Sequence, residues 1–376
     1  MVVRGFHPST ERPEPCKQIA RQIVFNDFLF GTAVIPRGAR SGDYRCPHGG
    51  LVSKPTLALD SNVWRYVIDA NGVEELRRIS RSANVAIVVL PAVLYETLRL
   101  PDTAMRRKII EAQTRQTWLR VMPEAYSEAE ELRLAIGRLR PEWLHPQPDL
   151  REWHKLRADW QYATWTRARR QTKMVADFLH DDAPIGASEL DRARKESHEA
   201  RKETIRIGVT FGAVKIERLE SWFTEPVPGW DGQKFEAWRV EGLNRWMPTL
   251  SGHDRGAYAD WILPWLQPDI LHQDFASWVR FWTRDVTRSD LPRQWIRNLM
   301  RFTASTRKVS PGSPVDIQIS TYLFDCDWFC TGDAVFVECI EKIRAGAPRP
   351  LARTRLLPGG ESAVGELFRF MRSCQP

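Results

Sequence analysis

The chain has no run of about 18 apolar residues, the length a helix needs to cross a bilayer, so no transmembrane helix is expected. Its opening, Met1-Val2-Val3-Arg4-Gly5-Phe6-His7, lacks the basic-then-apolar order of a secretory signal. Its 6 cysteines, at 16, 46, 326, 330, 339 and 374, form no paired CxxC framework. A cytoplasmic protein with reduced thiols is the expectation. Cys46-Pro47-His48 resembles half of a zinc site, but no second half follows at finger-like spacing.

What is present points to a folded, basic protein. The 376 residues are 43% hydrophobic and 27% charged, with 16 Trp, enough to bury a core and to exclude global disorder. The formal net charge of +8 suits a polyanionic partner, because neutralising phosphates releases condensed counterions.

The pattern divides the chain into four stretches. Residues 1–55 form an irregular N-terminal extension, with one apolar stretch from Ile19 to Ile35. Residues 56–101 read as strand, helix, strand, helix: Thr56 to Leu59, a helical pattern from Asn62 to Ser82, Val85 to Leu90, and a helix opened by Pro91. Residues 102–312 show no convincing strand and fit long amphipathic helices over 103–121, 127–140, 149–180, 186–222, 233–247, 257–266, 270–287 and 292–307. Fourteen of the 16 Trp lie there, many at helical spacing, which favours aromatic cores over a base-stacking surface. Segment 186–218 mixes charges of both signs, as on a solvated helix. Arg167, Arg169, Arg170 and Lys173 form a basic run suited to phosphate contacts.

Residues 313–376 return to the first pattern. A helix covers 315–325, Trp328 to Thr331 is a strand, Ala334 to Arg344 a helix, Arg353 to Leu357 a strand and Glu361 to Arg372 a helix. The expected fold class is therefore α/β with a central parallel sheet, split by a large all-α insertion.

Four carboxylates fall at informative places. Asp60 ends the first strand, Glu96 lies in the helix after the second, Asp316 opens the helix before the third, and Asp333 follows the third. In open α/β sheets the ligand crevice lies outside the carboxyl ends of the strands, so all four acids can share one pocket. Two carboxylates at about 4 Å repel by roughly 4 kcal/mol at an effective dielectric of about 20. A cluster needs protons or hard divalent cations to neutralise it, and Mg²⁺, which keeps waters open for a substrate phosphate, polarises a phosphodiester and delivers hydroxide without a protein nucleophile. Each acid also has a plain structural role open to it, since Asp60 and Asp316 suit helix caps and Glu96 suits a pair with Arg99. Asp325 and Asp327 are spare acids with helix-end and loop roles.

These segments resemble the motifs of PIN-domain ribonucleases. Leu57-Ala58-Leu59-Asp60-Ser61-Asn62-Val63 is similar to the first motif, and Leu90-Pro91-Ala92-Val93-Leu94-Tyr95-Glu96 to the second. Asp316-Ile317-Gln318-Ile319-Ser320-Thr321 is similar to the third, and Phe329-Cys330-Thr331-Gly332-Asp333-Ala334-Val335-Phe336 to the fourth. The tail from Arg353 resembles the closing strand and helix of that fold. The likeness covers 56–100 and 313–373; the long insertion departs from these compact domains.

The resemblance implies a PIN-like three-layer α/β/α fold and a metal-dependent endoribonuclease. It makes Asp60, Glu96, Asp316 and Asp333 catalytic residues and ligands of Mg²⁺ or Mn²⁺, with Thr331 orienting Asp333 and Asn62 supporting the pocket. It further implies an RNA substrate, a role as a toxin or anti-phage effector, and a protein inhibitor or antitoxin as partner. A DNA nuclease with the same site stays open, as does a homo-oligomer. A different class also stays open at this point: a non-catalytic RNA- or protein-binding module, in which the PIN-like frame only holds the insertion.

Overall fold

The computed structural model describes residues 54–181, 202, 219–250, 257–305 and 313–374. The N-terminal extension up to residue 53, with its Ile19–Ile35 stretch and Cys46-Pro47-His48, lies outside the described residues, as does the charged segment 186–218 apart from residue 202.

Thr56–Leu59 forms β1, and Asp60 turns the chain into helix α1, Ser61–Asp69. The expected single helical stretch over 62–82 is two helices. Asn71 takes a φ of 50°, a left-handed conformation that Asn tolerates, and α2, Val73–Ser82, starts afresh after Gly72. β2 is Ala86–Val89. Pro91 occupies the first turn of α3, Pro91–Leu98, where its missing N–H costs nothing. Asp102 caps α4, Thr103–Gln113, by accepting from Met105 N at 3.0 Å, and β3, Leu119–Arg120, follows.

Helices dominate the next stretch. They are α5 (Glu124–Leu139), α6 (Arg151–Ala158), α7 (Thr164–Arg170) and α8 (Thr172–Asp181). A small antiparallel hairpin, β4 (Glu220–Ser221) with β5 (Phe235–Glu236), precedes α9 (Ala237–Leu250). Then come α10 (Ala257–Ile262), α11 (Pro268–Gln273), α12 (Phe275–Arg280) and α13 (Pro292–Ser305). The chain returns through α14 (Ser313–Thr321), β6 (Trp328–Thr331), α15 (Ala334–Arg344), β7 (Arg353–Leu356) and α16 (Glu361–Ser373).

The larger sheet has five strands in the order β3-β2-β1-β6-β7, all parallel. Leu57, Ala58, Leu59, Ile87, Val88, Val89, Phe329 and Cys330 are all buried. Because successive residues face opposite sides, helices must cover both faces, as parallel sheets require. The fold class is thus α/β with a central parallel sheet.

Two sequence expectations need correction. The stretch 102–310 does contain strands: β3 extends the main sheet, and β4 and β5 pair with each other. These strands are two residues long, too short for any hydrophobic period to register. The helices expected over 149–180 and 270–287 are broken at Gln171 and Asp274, and each also carries a π-helical segment, Asp159–Ala163 and Phe281–Asp285.

Eleven of the fourteen Trp in this stretch are buried, and Trp222, Trp230 and Trp265 are half-buried. They are core rather than a stacking surface; Trp278, for example, stacks on Phe281 at 5.5 Å with an interplanar angle of 9°. Those core residues join the sheet's residues in one continuous cluster.

Ionic contacts also join α5 to α13. Glu124, Glu128 and Glu131 are buried on one face of α5. Arg297 donates to Glu128, and Arg293 donates to both Glu131 and Asp325. Tyr322 Oη donates to Glu124 Oε2 at 2.8 Å. No helix among the described residues is long and apolar enough to cross a membrane.

Candidate functional site

Asp60 leaves the end of β1 with its backbone N–H donating to Cys330 O at 3.0 Å, so the β1–β6 ladder fixes its position. Its side chain is held at both oxygens. Oδ1 accepts from Ser61 N at 2.7 Å; Oδ2 accepts from Asn62 Nδ2 at 2.9 Å and from Thr331 Oγ1 at 2.6 Å. Asp60 is 8% exposed, and burial outweighs these donors, so its carboxyl lies above the usual range. The neighbouring Asp333 pushes in the same direction.

Asp333 sits past the end of β6 and caps α15, Oδ1 accepting from Val335 N at 2.7 Å and Phe336 N at 3.0 Å. Its own N–H donates to Thr331 Oγ1 at 2.9 Å. Thr331 therefore links the two acids: one hydroxyl donates to Asp60 and accepts from the Asp333 backbone. The sequence reading gave Thr331 to Asp333 alone; its donated hydrogen bond goes to Asp60. Asn62 bridges two segments of the cluster: its Nδ2 donates to Asp60, and its Oδ1 accepts from the Gly332 N–H at 3.0 Å.

Glu96 comes from the second turn of α3 and Asp316 from the first turn of α14. Burial raises the Glu96 carboxyl to about 7, against a hydrogen bond from the Ser61 side chain; Asp60 raises it further and Arg99 lowers it. Asp316 is pushed up to about 8 by burial, then by Asp60, Asp333 and Glu96. Every one of those influences raises it. The four acids that the sequence proposed are thus electrostatic neighbours, brought together by β1, β6, α3 and α14. Asp60 and Asp333 also cap helices α1 and α15.

Ser61 was not singled out by the sequence reading, although it stands between Asp60 and Asn62; only the approach of α3 to α1 gives its hydroxyl a partner in Glu96. The spare acids take structural roles. Asp327 Oδ2 accepts from Thr56 N at 2.7 Å and Thr56 Oγ1 at 2.6 Å, and Asp325 pairs with Arg293.

Three members of the basic run are engaged within the fold. Arg167 pairs with Asp159 at 3.7 Å, Arg169 Nη1 donates to Glu111 O at 2.9 Å, and Lys173 pairs with Asp177 at 2.7 Å. Arg170 is exposed.

The donor set is all carboxylate oxygen, with hydroxyl and amide groups behind it, which is the chemistry of hard divalent cations. As they stand, no three His, Cys, Asp or Glu side chains among the described residues are arranged to hold a metal ion. The donor chemistry fits such an ion, while the positions of the carboxylates are not yet those of a closed ligand sphere. No family model, curated protein or solved structure matches the chain, so the site is read from its own residues.

Proposed function

We propose that this protein is a metal-dependent phosphodiester hydrolase, acting as an endoribonuclease on a PIN-like fold. The observation that carries this reading is Asp316, a carboxyl surrounded by three other acids and raised by all of them. Four acids gathered at one end of a parallel sheet are unfavourable for stability alone, so a cation-binding role accounts for them better than a structural one.

Asp60, Glu96, Asp316 and Asp333 would hold Mg²⁺ or Mn²⁺. When bound, such an ion polarises a phosphate oxygen and lowers the pKa of a coordinated water. The chain's own residues do the rest. Thr331 and Asn62 fix the Asp60 carboxylate with two donors on Oδ2, leaving its orientation little freedom. Ser61 orients Glu96, and the α15 amides orient Asp333. A toxin or defence role with a protein inhibitor rests on the motif resemblance alone.

Incubation of total RNA with Mn²⁺ or Mg²⁺, mapped by end sequencing, tests the reading. Asp60→Asn and Asp333→Asn are expected to abolish cleavage while the fold survives. Full activity in either variant, or cleavage that EDTA leaves undiminished, would sink it. Parallel digestion of single-stranded and duplex RNA and DNA separates a ribonuclease from a DNA nuclease.

A further inference from the structure

Tyr66 lies one turn beyond Asn62 on α1, so the two side chains share a face. Both meet the turn between Thr331 and Asp333. A Cβ at Gly332 would stand 3.1 Å from Tyr66 Oη, 3.4 Å from Tyr66 Cε2 and 3.5 Å from Asn62 Cγ. A Cβ at Gly359 would stand 3.8 Å from the same hydroxyl. The Tyr66 hydroxyl therefore lies between the segments that leave the carboxyl ends of β6 and β7, beside the acid cluster.

The ring is half-buried and packs on the core, which fixes it. The hydroxyl makes no hydrogen bond to another described residue, so it has a donor to offer to whatever crosses this edge. Beside it, Gly332 and Gly359 carry no side chains; the bare Gly332 admits the Tyr66 hydroxyl, and neither residue adds a side chain over it at the strand ends. A polyanion lying across four carboxylates needs donors on its flanks, and Tyr66 stands on the β7 flank.

Resting on the reading of the acids as a phosphodiesterase site, we propose that Tyr66 is a substrate-binding residue. Its hydroxyl donates to a non-bridging oxygen of a phosphate that flanks the scissile one in a single-stranded nucleic acid. The strand then runs over Gly332 and Gly359 as it leaves the acids.

The test is Tyr66→Phe, which removes one oxygen and keeps the packed ring. Cleavage of a fluorescein-labelled single-stranded RNA is followed with Mn²⁺, and binding of that RNA and of DNA of the same sequence is measured by anisotropy on an Asp60→Asn background. Loss of a hydrogen bond to a charged oxygen is expected to raise KM and both Kd values about 10-fold, with kcat within about 2-fold. The melting temperature, and its rise on adding Mn²⁺, are expected to stay as in the unsubstituted protein. Unchanged KM and Kd would overturn the proposal, as would a fall in kcat with KM fixed. Weakened binding of RNA alone would overturn the phosphate contact in favour of a ribose hydroxyl. If the unsubstituted protein neither binds nor cleaves the oligonucleotide, the reading of the acid cluster fails first and the role of Tyr66 falls with it.

Discussion

Asp316→Asn is expected to stabilise the metal-free protein at alkaline pH and to leave it nearly unchanged in acid. The Asp316 carboxyl is raised from 3.8 to about 8 in the folded chain. Below about pH 4 both folded and unfolded states carry the proton, and ionisation costs the fold nothing. As pH rises, the unfolded chain releases its proton while the folded chain retains it, so stability falls. That loss is complete once pH passes the folded value near 8. Glu96, raised to about 7, adds a loss of the same sign over a lower window. At roughly 1.4 kcal/mol per pH unit, the Asp316 shift corresponds to at most about 6 kcal/mol. An amide left without partners returns roughly 1–3 kcal/mol of that, so a net gain of about 3 kcal/mol is expected. With an unfolding entropy of about 2.1 cal/mol/K per residue, that gain raises the melting temperature by about 4 °C. The assay is thermal unfolding in EDTA at about pH 5 and about pH 9, where roughly a third and nearly all of the linkage effect are present. Mn²⁺ at about 100 times its Kd is expected to add about 2.7 kcal/mol to the unsubstituted protein at the higher pH and little to the variant. Parallel melting curves for the two proteins across this pH range would refute the electrostatic argument.

Two further perturbations separate site from scaffold. Thr331→Val removes the hydroxyl that donates to Asp60 and receives the Asp333 N–H; metal-dependent cleavage is expected to fall about 10-fold to 100-fold in kcat, as for other groups that orient metal ligands, measured on the same RNA. Arg297→Met strands the buried Glu128 carboxylate and is expected to cost about 3–5 kcal/mol by chemical denaturation, with the double variant Arg297→Met, Glu128→Leu recovering most of it. A single variant as stable as its parent would show that the pair contributes nothing.

Much of the α/β frame was legible in the chain. The apolar runs ending at Leu59, Val89 and Thr331 announced three adjacent strands, and Pro91 announced the start of α3, because each signal lies within a few residues of the element it governs. β3 escaped, since Leu119 and Arg120 give a two-residue pattern in which the leucine is itself exposed. Glu124, Glu128 and Glu131 at helical spacing look like a solvated face. They are buried because Arg293, Arg297 and Tyr322 reach them from far along the chain, and no local period reports such a partner. In the basic run, Asp159, Asp177 and the Glu111 carbonyl engage three of the four members.

By itself the sequence determined that Asp60, Glu96, Asp316 and Asp333 lie at or near the ends of strands and helices, since hydrophobic period and capping chemistry are local. Only the tertiary structure decided that the four are neighbours and that Asp316 feels the charges of the other three. Parallel pairing of β1 with β6 joins positions more than 270 residues apart, as in the hydrogen bond from Thr331 to Asp60. Desolvation and like-charge repulsion depend on separation in space, which the order of residues along the chain does not contain.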